Sequence, residues 1–421
     1  MTEVKDIPVG YKATELGVLP EEWKISKLES VAQIIMGQSP PGTSYNETHN
    51  GRPFLQGKAE FGEVNPKNIK FTTDPKKIAP LGSILMSVRA PVGDVNIADI
   101  EYCIGRGLAA ISLKKGDNQF LFFLLQQLKD EIEKEATGSI FKSINKAKLS
   151  GFDIPLPPLP EQHAIATTLR TVQEAKENTD AVIAATKALK AAMMKHLFTY
   201  GPVPTEDMGR VALKETEIGP VPEGWEIKRL KEISKIFSGG TPSKENKEFW
   251  IGKIPWVSPK DLKLPILDDV IDHISEEGLV SGSRLVPEGT IFIVIRGMIL
   301  IRDVPVAIIT KPMAFNQDLK AICAMPNVNP TYLLYAISQF TSHLLPEIGT
   351  SAHGTKRIGT SAIENFLVPV PSEDEQNTIA NLIGVVEKKL AAEQSRKEAL
   401  DTLFTSLLHD LMTAKIRVST A

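Results

Sequence analysis

Self-similarity at a long period fixes how many structural units a chain must form before any local pattern is read. Residues 12 to 40 (KATELGVLPEEWKISKLESVAQIIMGQSP) and 214 to 242 (KETEIGPVPEGWEIKRLKEISKIFSGGTP) align without a gap at an offset of 202. Twelve of the 29 positions are identical, among them Lys12/Lys214, Trp23/Trp225, Gly37/Gly239 and Pro40/Pro242. A second match, at an offset of 214, sets Phe141-Lys142-Ser143-Ile144 and Phe152 to Gln162 against Thr355-Lys356-Arg357-Ile358 and Phe366 to Gln376. The offsets differ by 12, so the copies share a frame while the interior of the second is 12 residues longer.

Each copy ends in a long helical segment. Residues 161 to 198 contain no Pro or Gly and residues 372 to 418 contain only Gly384, the condition for an uninterrupted helix. Ser372 and Glu375 form a capping box, and Glu161 supplies a first-turn acid in the other helix. Positions 379, 383, 386, 390, 393, 397, 400, 404, 407 and 411 are apolar at eight of ten places with 4-3 spacing, a coiled-coil seam. The first helix carries a looser stripe, Ile165, Leu169, Val172, then Val182 or Ile183, Leu189, Met193 and Leu197, with Lys176 and Thr179 interrupting it. Before each helix lie short strand-like runs, such as Ser83 to Val88, Leu108 to Leu113, Thr290 to Ile295 and Leu319 to Cys323, and an apolar helix, Phe120 to Leu128 or Thr331 to Phe340.

The expected fold class is therefore α+β. Two globular domains (1–155 and 206–370) are separated by two long antiparallel helices (156–205 and 371–421) that form a coiled coil, giving an internal pseudo-two-fold repeat. The C-terminal helix returns to the first domain, which places the two ends of the chain close together.

With 421 residues, 42% hydrophobic and 24% charged, the chain has the makings of several folded cores and of no large disordered region. No apolar run approaches the roughly 20 residues of a membrane helix, and Cys103 and Cys323 are too few for a disulfide framework; a soluble, cytoplasmic protein is expected. Lys plus Arg is 48 against 51 for Asp plus Glu, so any anion-binding surface must come from local tracts.

Helices of about 40 residues span about 60 Å, and a pseudo-two-fold pair of domains held that far apart matches the inverted symmetry of duplex DNA over about 17 base pairs. Two short half-sites with an unread spacer are expected, differing in sequence because the interiors of the copies differ. Removing seven residues from each helix, with the seam kept in phase, should shorten that spacer.

Candidate contacts follow the repeat. Residues 137 to 151 (TGSIFKSINKAKLSG) and 349 to 362 (GTSAHGTKRIGTSA) are acid-free basic tracts at matching places, which suggests phosphate-facing loops carrying Ser139, Lys142, Lys146, His353, Lys356 and Arg357. The plain alternative is a solvated linker. Arg89 and Arg296 follow matching apolar strands, suited to a bidentate contact with guanine or phosphate or to a structural ion pair. The polar turns at residues 39–45 and 238–244 offer Ser44, Thr241, Ser243 and Lys244 to a DNA backbone, though turn formation alone explains their composition. Lys58, Arg106, Lys260 and Arg302 lie in the diverged interiors, where base discrimination should reside.

Catalytic signatures are missing. There is no phosphate-binding loop, no zinc-ligand spacing and no cofactor motif. Asn329-Pro330-Thr331-Tyr332 is similar to the loop with which adenine methyltransferases hold a flipped base, but lacks the second proline and a glycine-rich partner loop. It reads as a loop entering a helix.

The run Gly-Trp-Glu-Ile-Lys-Arg-Leu from Gly224, the turn Phe237 to Pro242, Ile254 to Leu262 (IPWVSPKDL) and Ile154 to Gln162 (IPLPPLPEQ) leading into a long helix resemble the DNA specificity subunit of bacterial and archaeal type I restriction-modification systems. The resemblance covers essentially the whole chain. It implies a non-catalytic subunit, without cofactors of its own, in which two target recognition domains each read half of an asymmetric bipartite site. The implied partners are double-stranded DNA, two methyltransferase subunits that bring S-adenosylmethionine, and two restriction subunits that bring ATP-driven translocation and cleavage. The chain departs from the family pattern in its second helix entry, Pro371 to Gln376, and in residues 52 to 57, which places in doubt any transfer of contacts from Lys260 to Lys58. A coiled-coil adaptor with paired protein-binding heads is the competing reading.

Overall fold

The computed structural model describes residues 7–67, 69–136, 142–351 and 354–418. It divides into two compact units, one of residues 1–181 with 395–421 and one of residues 182–394. Two continuous helices, Leu159–Tyr200 and Glu373–Met412, contribute to both.

In the first unit, four antiparallel strands lie in the order Val95–Ile97, Ile84–Ser87, Leu108–Leu113, Ala32–Met36. A second sheet carries Arg52–Leu55 beside Tyr102–Ile104. The helix Asn118–Gln127 packs Phe120, Leu121 and Leu124 into the core beneath the four-stranded sheet, with Asp117 capping its N-terminus. The second unit repeats the plan: Ser234–Ser238, Leu319–Ala324, Ile291–Val294 and Val306–Ile309 form successive strands of one sheet, and Ile254–Val257 pairs with Met313–Phe315 in another. Its core helix is Pro330–Phe340. Asn329 accepts from the Thr331 and Tyr332 amides as its N-cap, and Tyr332 is buried with its hydroxyl donating to the Pro369 carbonyl. The methyltransferase-like tetrapeptide is thus a helix entry, as its sequence context indicates.

The shared frame recurs bond by bond, because the identical residues are those that hold it. Lys12 donates to the Glu21 and Trp23 carbonyls, and Lys214 to those of Glu223 and Trp225. The buried Trp23 indole donates to Glu161 at 3.0 Å and Trp225 to Glu375 at 3.2 Å, tying each N-terminal strand to the entry of a long helix. Gln162 and Gln376 each donate to the carbonyl of a proline five residues earlier, Pro157 or Pro371. The Glu375 carboxylate also accepts from the Ser372 hydroxyl and amide, and the Ser372 hydroxyl accepts from the Glu375 amide, completing the expected box.

The helices pair antiparallel within each unit. In the first, Lys176 meets Asp401 at 2.8 Å and Asp180 meets Lys397, four residues forward against four backward. In the second, Lys190 meets Glu387. All ten seam positions of the second helix are buried or half-buried. In the first helix the expected place of Leu189 is corrected: it is 56% exposed, and Thr186 and Lys190 occupy the seam. Strict 4-3 spacing from Ile165 runs through Lys176, Thr179, Ile183, Thr186 and Lys190 to Leu197, so spacing overrides apolarity there. Ile183 takes the place left open between it and Val182, which is exposed.

The end of the second helix closes the first unit. Phe404, Leu411 and Met412 enter its core, and the Tyr11 hydroxyl donates to the Ala414 carbonyl at 3.1 Å, so the expected return of the C-terminal helix is seen in the packing of this unit. Arg417 grips the buried Glu161 with two hydrogen bonds, of 2.6 and 3.0 Å, and Glu22 with a third of 2.6 Å. That guanidinium holds the Glu22 carboxyl below the usual carboxylate range. Substituting Arg417→Ala leaves Glu161, 3% exposed, with the Trp23 indole alone. An expected loss of about 2–4 kcal/mol, with amide exchange accelerating first in residues 395–418, can be checked by denaturation and hydrogen exchange.

Candidate nucleic-acid interface

Arg89, Arg106 and Lys142 in the first unit, and Thr241, Arg296, Lys356 and Arg357 in the second, come together at one end of the main sheet. In the first unit, the Val88 amide donates to the Gly107 carbonyl, the Ile144 amide to the Val88 carbonyl and the Ala90 amide to the Lys142 carbonyl, with Arg89 bridged to Ser143. The basic tract is therefore stitched to the strand end that carries Arg89, and the loop carrying Arg106 lies on the other side of that strand. In the second unit the same bonds run from Ile295 to Asp318, from Ile358 to Ile295 and from Gly297 to Lys356, with Arg296 bridged to Arg357. Neither tract is a free linker along these residues.

The polar turns join the same edge. The Gln38 amide donates to the Ile104 carbonyl, and the Arg106 amide to the Ser39 hydroxyl at 3.2 Å. The equivalent Gly240 amide donates to Phe315, and the Thr241 hydroxyl to the Gln317 side-chain oxygen at 2.5 Å. Only glycine permits this approach: a Cβ on Gly37 would stand 2.1 Å from the Gly105 carbonyl oxygen, and one on Gly239 2.3 Å from that of Phe315.

The candidates differ in how free their charges are. Arg89, Arg106, Lys146, Lys244, Arg302 and Arg357 are exposed, and their side chains make no hydrogen bond or ion pair with the described residues. Lys142 has a loose contact to Glu133 (3.4 Å), Lys356 donates to the Thr350 hydroxyl (2.9 Å), and Arg296 stands 3.6 Å from Asp318. Lys58 is different. It pairs with Asp94 at 2.6 Å, and burial pushes that carboxyl up while hydrogen bonds from Lys129 and Lys58 outweigh it and hold it below the usual range. Lys260 is likewise tied to Asp272 at 2.7 Å. Both lysines serve ion pairs within their own units. The Ser44 hydroxyl donates to the Pro41 carbonyl and hydrogen-bonds the Thr72 hydroxyl, and Ser243 accepts from the Glu245 amide, so these two serines build their turns. Ser139 and His353 lie outside the described residues.

Two features escaped the sequence. The loop between paired residues Ile293 and Val306 is four residues longer than that between Met86 and Val95, and its 3₁₀ turn Met298–Ile301 exposes Met298, Ile299 and Ile301 beside Arg302. A short apolar run there reads as a strand or a core piece, and only the long-range pairing shows it on the surface. The other is Gln317, which occupies the place of Arg106 and is a polar residue without any local signal. Among the described residues no cluster of metal-ligating side chains occurs and no helix is long and apolar enough to cross a membrane.

Two copies of one α+β unit, each with a polar turn, an arginine-bearing strand end and a basic tract on a single edge, define a tandem binding module. The family model for the type I restriction modification DNA specificity domain matches residues 20–185 and again 222–402, and the chain belongs to that family. A Methanocaldococcus jannaschii chain named as the MjaX type I restriction enzyme specificity subunit is 49% identical over 168 residues, 39% of this chain and 40% of that one. The Escherichia coli EcoR124I/EcoR124II specificity subunit is 37% identical over 160 residues, 38% and 40% of the two chains. The chain thus spans about 40% of the length of these two relatives. The fold is similar, with a TM-score of 0.65 at 18% identity, to the crystal structure of the type I restriction-modification S subunit of M. genitalium, over 92% of this chain and 96% of that one.

Proposed function

We propose that the chain is the non-catalytic specificity subunit of a cytoplasmic type I restriction-modification enzyme. Residues 1–155 and 206–370 act as its target recognition domains, and 156–205 and 371–421 as spacer and docking helices. The partners are double-stranded DNA, two methyltransferase subunits that supply S-adenosylmethionine, and two restriction subunits where the system cleaves. The chain itself needs no cofactor.

One observation carries this reading: the same edge is built twice, with the same backbone hydrogen bonds joining basic tract, arginine strand end and polar turn, inside a duplicated DNA specificity domain. Phosphate contacts from such an edge position a protein on DNA, and the diverged side chains beside them supply sequence discrimination. Exchanging residues 12–150 for the corresponding domain of another family member, and sequencing the methylated bases in cells carrying the assembled methyltransferase, is expected to change one half-site and leave the other intact. A change in both half-sites, or in neither, contradicts modular reading.

A further inference from the structure

We infer that Arg106 and Gln317 are matched base-reading positions, Arg106 selecting guanine in the half-site of the first domain and Gln317 selecting adenine in that of the second. This deepens the DNA-reading role proposed above and rests on it.

The two residues are structural equivalents. Ala109 pairs with Met36 and Lys320 with Ser238, so each lies three residues before a paired position of the same strand in its own copy. Both follow a core strand, Tyr102–Ile104 or Met313–Phe315, and precede the strand that abuts Arg89 or Arg296. Both touch the same turn position, Arg106 through its amide to Ser39 and Gln317 through its side chain to Thr241. Here an equivalent backbone position carries a different side chain, which is what a specificity position needs.

The backbone is held by hydrogen bonds and close packing in each case. Arg106 sits between buried Gly105 and Gly107, where a Cβ would meet Gln56 at 2.9 and 2.6 Å, and Gly107 is hydrogen-bonded to Val88. The guanidinium is exposed without a partner among the described residues and borders a cleft of about 500 Å³ that also displays Gln56 and Lys70. In the second unit the Asn316 side-chain oxygen accepts from the Asp318 amide, fixing the loop, and Thr241 holds the oxygen of the exposed Gln317 carboxamide, whose NH₂ group makes no hydrogen bond with the described residues.

The chemistry then separates the two. A guanidinium has only donors and matches the O6 and N7 acceptors of guanine; a carboxamide has a donor and an acceptor and matches N7 and N6 of adenine. The carboxamide oxygen keeps a second lone pair while it accepts from Thr241. Guanidinium and carboxamide at one position therefore code for different purines.

The test uses the full chain assembled with its methyltransferase subunits in cells, read by sequencing methylated bases. Arg106→Gln is expected to shift one G·C position of one half-site toward A·T, with discrimination changing about 10- to 100-fold, and Gln317→Arg to make the reverse change in the other half. Arg106→Ala should leave that position degenerate. If a variant stops methylation, mobility shifts of its complex against duplexes substituted at each base of the affected half-site decide. Loss of preference at one position supports the assignment, and equal weakening on every duplex overturns it. An unchanged motif, changes in both halves, or a first half-site without a G·C pair also overturns it. The Lys142→Glu/Lys356→Glu complex separates the two levels. DNA binding that survives in that complex sinks the interface itself, whereas binding that is lost while Arg106→Gln keeps the wild-type motif sinks only the base assignment.

Discussion

Replacing both Lys142 and Lys356 with glutamate is expected to weaken binding of the assembled complex to duplex DNA by roughly 100-fold at about 0.1 M salt. Each lysine sits on the tract stitched to an arginine strand end, one per unit, and neither holds its unit together. Lys142 has only a 3.4 Å contact to Glu133, and Lys356 a hydrogen bond to the Thr350 hydroxyl. The folded units should therefore survive the change while two phosphate contacts become two repulsions. Because each contact releases a counterion, the slope of log affinity against log salt should become shallower by about 1.8. Filter binding across a salt series checks both numbers. A coiled-coil adaptor that does not engage DNA predicts no change in either, so the same measurement separates the two readings.

The second large effect concerns the helix seam. Lys190→Met is expected to destabilise the second unit by about 3–5 kcal/mol, because the Glu387 carboxyl, 7% exposed, is then left in the seam without the lysine. The carboxylate is felt locally: burial first, and then the charge of Glu387, push the Tyr335 phenol up to about 12. Adding Glu387→Leu should restore the lost stability or exceed it by about 1–4 kcal/mol, since an apolar pair of similar size avoids the desolvation that the ions undergo. Denaturant unfolding followed by tryptophan fluorescence, to which Trp225, Trp250 and Trp256 of the second unit contribute, measures the cycle. Equal stability of the single variant and the parent would mean that the pair is solvated.

What the sequence revealed follows from which interactions repeat. Trp23 and Trp225, Lys12 and Lys214, and Glu161 and Glu375 recur at the offsets of the repeat because each copy uses them for the same bonds, indole to helix-entry carboxylate over a long range and lysine to two nearby carbonyls. Their identity survived and the frame was readable. Leu189 lies off the seam because spacing outranks hydrophobicity there, and in the middle of these helices the contacts are made by Lys176, Thr186, Lys190 and Glu387. Charges on the candidate edge divided for a similar reason. Lys58 and Lys260 look as available as Arg106 in the sequence, but their carboxylate partners lie 36 and 12 residues away and are brought to them only by folding. Gln317 was invisible for the opposite reason, since its meaning comes from the residue that occupies the same place in the other copy.

The first unit is discontinuous: Phe404, Leu411, Met412 and Ala414 belong to its core, whereas the second unit is a single uninterrupted stretch of chain. During translation all residues of the second unit are therefore present once residue 394 has emerged, whereas the first lacks part of its core until residue 414 has. The two units are thus expected to become complete in the reverse of the order in which their first residues are made. A chain released near residue 394 is therefore expected to contain the whole second unit and an incomplete first one.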